Sequence, residues 1–154
     1  MPRLRRMASR AFSSAMKFLH LNFLPRSADV ALLVLRIWFG LALLGLHGWG
    51  KLMNFSAMTA KFSDPLGIGK TASLSLAVTG EVVCAALIVL GLFTRVAAIG
   101  AGTTMAVAFW LVHGHKLSGP GNGEMAFVYL ATFVALFIAG AGRYSIDAQF
   151  GAKG

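Results

Sequence analysis

The chain has 154 residues, of which 57% are hydrophobic and 12% charged, with a formal net charge of +9 and a mean hydropathy of +0.74. Soluble domains carry about 25% charged residues, so this composition excludes an ordinary soluble fold and describes an integral membrane protein. The basic residues flank apolar segments instead of forming a stripe with aromatics, which argues against nucleic acid as a partner, and the single cysteine, Cys84, excludes an intramolecular disulfide or a Cys-x-x-Cys redox pair.

Residues 1–27 hold six basic residues and no acid. Arg3, Arg6, Arg10, Ser13 and Lys17 fall on one helical face, and Ala8, Ala11, Phe12, Ala15, Met16 and Leu19 on the other. This pattern predicts a short amphipathic helix lying in the membrane interface. A mitochondrial transit peptide shares the composition, while a basic cytosolic flank anchoring the first span is the plainer reading. A membrane domain is expected over residues 28–150, with a short tail over 151–154.

Four apolar runs, at about residues 30–49, 72–93, 96–112 and 125–141, predict four spans and hence an all-α integral membrane four-helix bundle. Gly91-Leu92-Phe93-Thr94-Arg95 is a tight turn that makes spans 2 and 3 a hairpin. The connections over residues 50–71 and 113–124 are longer and read as loops rich in Gly, Pro, Ser and Lys. The N-terminal segment, Arg95, Arg143 and Lys153 fall on one side, whereas Lys51, Lys61, Lys70 and Lys116 fall on the other. The cation asymmetry then places both termini in the cytoplasm.

Ionisable residues inside the spans are the candidate site. Span 1 places Arg36, Gly40, Leu43, His47 and Lys51 within one narrow helical stripe, which should face protein or water. Snorkelling of Arg36 and Lys51 to the two surfaces explains the cations equally well, and His47 less well. Span 2 carries one acid, Glu81. A carboxylate near mid-membrane costs roughly 2.5–3.5 kcal/mol, so a proton or a cation should accompany it. His47 and Lys51 are its nearest candidate partners.

With this topology the polar residues sort into two layers. The outer layer holds His47, Lys51, His113, His115, Lys116 and Glu124, with Glu81 deeper beneath it. The inner layer holds Asp29, Arg36, Arg95, Arg143 and Asp147, where ion pairs such as Arg95–Asp147 would be structural. The outer layer is the better site, because it mixes groups that titrate near neutrality with an acid in an apolar span. His47, His113, His115, Glu81 and Glu124 are metal-ligand types, but no spacing among them is diagnostic, so no metal is assigned. Cys84 shares a helix face with Glu81 and reads as packing. One echo stands out: His47-Gly48 and Lys51-Leu52 precede Gly80-Glu81, as His113-Gly114 and Lys116-Leu117 precede Gly123-Glu124. It suggests a duplicated two-helix unit.

Several of these pieces together resemble the DoxX family of small four-span membrane proteins. They are Leu35-Arg36 with Gly40, His47-Gly48 and Lys51-Leu52; Gly80-Glu81 and the Gly91–Arg95 turn; Gly123-Glu124; and Gly140-Ala141-Gly142-Arg143-Tyr144-Ser145-Ile146-Asp147. The resemblance covers about residues 30–150 and departs at Ala141, where the family often has proline. It implies a plasma-membrane location and, for some relatives, a place in oxidoreductase complexes exchanging electrons with quinones. No haem, flavin, iron–sulfur or nucleotide motif is present, so a partner subunit or a diffusible quinone would supply the redox centre. Three readings follow: a membrane subunit of a redox complex, with its outer layer near a quinone head group and with soluble or membrane oxidoreductase subunits as partners; a small-molecule or proton-coupled transporter using Glu81; or a structural or assembly protein without its own site. Each is compatible with a homo-oligomer in the lipid bilayer.

Overall fold

The protein is described here as a computed structural model covering residues 27–151. The amphipathic helix expected within residues 1–27 lies outside the described residues, as does the end of the tail. Among the described residues every regular element is helical.

Helix α1 covers Ala28–Met53, 26 residues. Ser27 caps it, its Oγ accepting the Val30 N–H at 3.2 Å. Asp29 in the first turn complements the positive end of the helix dipole. After the short α2 (Phe55–Thr59) comes α3, Lys70–Leu90, and then α4, Thr94–Val112. Helix α5 covers Glu124–Ala139, and α6 (Ile146–Gln149) closes the described chain. Helices α1, α3 and α4 are long and apolar enough to cross a membrane. Helix α5 is equally apolar but has 16 residues, so it is about 24 Å long against a hydrocarbon core of about 30 Å. It stops at Gly140, whose φ of +80° only glycine adopts without strain.

The connection expected to be a loop over residues 50–71 is partly helical, because α1 runs on to Met53 and α2 follows directly. Residues 50–59 contain no helix breaker after Gly50, and the Asn54 side chain donates to the Gly50 carbonyl at 3.0 Å. The α3–α4 turn is as tight as expected, with Gly91 at φ +68° and Phe93 at φ +49°.

The core mixes large apolar side chains with alanines, which make up five of its twelve residues. Leu43, Ala85, Ile88, Ala97, Ala98, Ala101, Met105, Phe109, Ala126, Tyr129, Phe133 and Leu136 form one buried cluster. Helix α4 packs between α3 and α5, while α1 lies against α3 and α5. Lipid tails are as apolar as the side chains they would replace, so close backbone approach, not the hydrophobic effect, must hold such helices together. Glycines supply it. A Cβ on Gly40 would lie 2.6 Å from Val89 Cγ2, and one on Gly48 would lie 2.6 Å from the Glu81 carbonyl oxygen. Between α3 and α4, Gly80 meets Thr104 and, a turn further, Cys84 meets Gly100. The sides turned outward carry Trp38, Leu46, Val96 and Ile138, all exposed.

The inner layer is wired differently from the expectation. Arg95 does not pair with Asp147. The Asp147 carboxylate instead caps the start of α4, accepting the N–H groups of Phe93 (2.7 Å) and Thr94 (3.0 Å). Burial pushes the Asp147 carboxyl up, but the Thr94 and Phe93 amides and the Arg36 charge outweigh it and hold it below the usual carboxylate range. Among the described residues Arg95 reaches only the Ile138 carbonyl, at 3.4 Å. Arg143 is placed against Asp29: its backbone N–H donates to Oδ1 at 2.9 Å and its Nε lies 4.0 Å from Oδ2. Arg36 is fully buried and donates from Nη2 to the Tyr144 carbonyl at 2.5 Å. The two backbone amides took the carboxylate because they are fixed in space, whereas Arg95 would have to give up side-chain freedom to reach it.

Candidate functional site

Lys51 sits in the last turn of α1, and Glu81 sits near the middle of α3. The ammonium of Lys51 reaches both carboxylate oxygens of Glu81. Glu81 is 4% exposed and the Lys51 side chain 21%, so the acid is the deeper partner. Two local features permit the pair. Gly48 lets α1 lie directly on the Glu81 backbone, one turn before Lys51. Both helices also widen into a π-helical turn at this crossing, Leu43–Gly48 in α1 and Thr79–Cys84 in α3. Such turns sacrifice regular hydrogen bonding and recur at functional positions.

The pair borders a cavity of about 500 Å³ between α3 and α4. Apolar side chains such as Leu76, Ala77, Val107 and Val112 make most of the wall, with Ser73, Thr79, Cys84, Thr103, Thr104 and His113 among its other hydrogen-bonding or soft groups. Leu76, Thr79 and Thr103 line it while being exposed on the outer side of the helices. The cavity therefore opens sideways between α3 and α4.

Phe62, Ser63, Pro65 and Leu66 also line this cavity. Asp64 fastens that segment to the start of α3. Its Oδ1 accepts the Ser73 hydroxyl at 2.6 Å and the Ile68 N–H at 3.1 Å, and its Oδ2 accepts the Gly69 N–H at 2.8 Å. The Ser73 hydroxyl above all, then the Gly69 amide, holds the Asp64 carboxyl below the usual range.

The other residues expected in the outer layer are not all gathered here. His113 lines the cavity, with Nδ1 2.8 Å from the Gly121 carbonyl. His47 is half-buried but turns away, its ring edge-on to Tyr129 at 5.6 Å between centroids. Glu124 is exposed at the start of α5 and outside the cavity, its backbone N–H donating to Asn122 Oδ1 at 3.1 Å. The echo between the two halves is not reproduced in geometry either: Lys51 and Glu81 are paired, whereas Lys116 and Glu124 form no ion pair among the described residues. No group of three or more His, Cys, Asp or Glu side chains is placed to hold a metal ion among the described residues.

Two residues escaped the sequence reading. Asp64 lay in a segment taken for an irregular loop, though Asp followed by Gly67 and Gly69 is a usable turn signal. Tyr129 looked like one more apolar-helix residue. It is 2% exposed and packs edge-on to Phe39 as well as His47, with Phe133 stacked beneath it.

Three span-length apolar helices, a fourth apolar helix packed on them and a charged pair turned into the interior define a polytopic α-helical membrane protein. The chain belongs to the DoxX family, whose model matches residues 31–114 and so includes both members of the Lys51–Glu81 pair. It is 34% identical over 116 residues to an uncharacterized protein of Haemophilus influenzae, a match covering 68% of this chain and 80% of the other. No solved structure matches it.

Proposed function

We propose that the protein is a membrane subunit of a quinone-linked oxidoreductase complex and that the cavity beside Lys51–Glu81 receives the quinone head group. One observation carries this reading: a laterally open, mostly apolar cavity is lined by an ion pair whose acid is buried. A flat ring with carbonyl oxygens needs apolar walls for its faces and a donor for its oxygen. Leu76, Ala77 and Val107 serve the first need, and the Lys51 ammonium or the Thr104 hydroxyl the second. Glu81 then provides a carboxylate that holds the Lys51 proton in place and can exchange it. The quinone supplies the electron-accepting chemistry. The electrons themselves come from partner subunits, since this chain's recognisable motifs hold no redox centre.

In this reading α5 is a fourth span, tilted or locally thinning the bilayer to make up its length. Both termini then share one side, which the cation asymmetry assigns to the cytoplasmic face of the plasma membrane. The test is quinone-linked respiration in cells whose only copy carries Glu81→Gln. That variant conserves volume and removes the charge. Loss of respiration with the protein still present in the membrane is expected, and unchanged respiration would leave Glu81 a packing residue.

A further inference from the structure

At the far end of the helices from the Lys51–Glu81 pair, a second, wider cavity of about 800 Å³ lies between the start of α4 and the segment that follows α5. Asp29, Arg95, Arg143 and Asp147 are its charged lining residues, with Leu32, Val96 and Ala139 among the apolar ones. Both carboxylates are already engaged, Asp29 with Arg143 and Asp147 with the Phe93 and Thr94 amides. Among the described residues three arginines (Arg36, Arg95 and Arg143) thus meet two acids at this end, leaving one positive charge in excess.

Arg95 is where that excess is available. Among the described residues its one hydrogen bond is the long contact to Ile138, so most of the five donors of its guanidinium are unspent. Its guanidinium lies over Gly140, where an added Cβ would lie 3.6 Å from Nε and 3.7 Å from Nη2. Arg143 borders the same cavity with its guanidinium exposed. Immediately beside them Val96 and Ile138 are 69% and 70% exposed, an apolar surface suited to acyl chains.

We propose that this cavity binds the phosphate group of an anionic phospholipid, held by the planar fork of Arg95 with Arg143 as the second cation. Guanidinium groups match phosphate oxygens two at a time, and basic pockets between helix ends select anionic head groups from the adjoining leaflet. A soluble phosphate ester would present the same oxygens, so the experiment separates the two sources.

The full-length protein, purified in a neutral detergent, is titrated with phosphatidylglycerol or phosphatidylcholine, and bound lipid is counted by native mass spectrometry. Retention of phosphatidylglycerol over phosphatidylcholine is expected. Arg95→Gln should weaken phosphatidylglycerol binding about five-fold, the effect of about 1 kcal/mol per basic residue at an anionic surface. Arg95→Lys, which keeps the charge but not the fork, should fall between, and Lys116→Gln at the opposite end should change nothing. Thermal unfolding of each variant confirms that the fold survives. Displacement of the lipid by millimolar inorganic phosphate would mean that the phosphate group alone suffices; resistance to it would mean that the acyl chains contribute and the bilayer is the source. Equal retention of the two lipids, or unaltered phosphatidylglycerol binding by Arg95→Gln, would overturn the proposal.

Discussion

The Lys51–Glu81 pair is asymmetric, and the asymmetry predicts how its members tolerate replacement. Lys51→Met leaves a carboxylate stranded in an almost fully buried position, which should cost about 3–5 kcal/mol of stability. Glu81→Gln leaves an ammonium whose side chain is already partly exposed and can turn toward the surface, so a smaller loss of about 1–3 kcal/mol is expected. The double variant Lys51→Met/Glu81→Leu removes both charges and should recover most of the loss. Thermal unfolding of the four proteins in one detergent checks the order, and a double variant no more stable than Lys51→Met would show that the pair is not coupled.

Asp64 makes a prediction about pH. Its folded carboxyl is held below the usual range, so its contribution is complete above the unfolded value of about 3.9 and is lost as pH falls through the lower folded value. The fastening of residues 62–66 should therefore be constant above about pH 5 and weaken only in acid. Asp64→Asn removes the charge at every pH. Hydrogen exchange of the Ile68 and Gly69 amides should quicken at neutral pH in that variant, and unchanged protection would mean that Asp64 does not hold the segment.

At the scale of the elements, the crossings are governed by glycine more than by large apolar side chains. Gly48→Ala is the sharpest probe. Alanine is favoured over glycine within a helix by about 1 kcal/mol. Here, however, the new methyl would lie 2.6 Å from a backbone oxygen of α3, which cannot swing aside as a side-chain tip could. The steric cost, about 1–3 kcal/mol, should win. Gly45→Ala is the control, because nothing lies within 4 Å of its added methyl. Gly48→Ala should lower the unfolding temperature and Gly45→Ala should not. Equal behaviour of the two would mean that α1 and α3 cross less closely than described.

At the scale of the molecule, the inner end is tied together by contacts that skip along the sequence. Arg36 of α1 holds the Tyr144 carbonyl, Asp29 holds Arg143, and Asp147 caps α4. These bonds bring the segment after α5 back to the starts of α1 and α4, which is where the lipid site is proposed. The opposite end carries the Lys51–Glu81 pair and the Asp64 fastening. With α5 as a fourth span, reporter fusions at the N-terminus, at Arg95 and at the C-terminus should all score on one side, and a fusion within residues 62–66 on the other. An Arg95 fusion on the same side as residues 62–66 would refute the topology.

Sequence alone determined the class, the family resemblance, the approximate helix positions and the outlier status of Glu81. The reason is that a bilayer imposes length and apolarity on each span separately, and a lone acid stands out against that background. It could also restrict the partner of Glu81 to His47 or Lys51, since these stand at the end of span 1 that meets the start of span 2, whereas Arg36 lies in the other half. Only the tertiary structure chose Lys51. That choice depended on Gly48 at the crossing and on π-helical turns that no periodicity announces. Tertiary structure likewise turned His47 to Tyr129, left Glu124 outside, gave Asp147 to the α4 amides in place of Arg95, and made Asp64 a fastening. Each of these is a competition between partners distant in sequence, decided by which donor is already fixed in space when the helices pack.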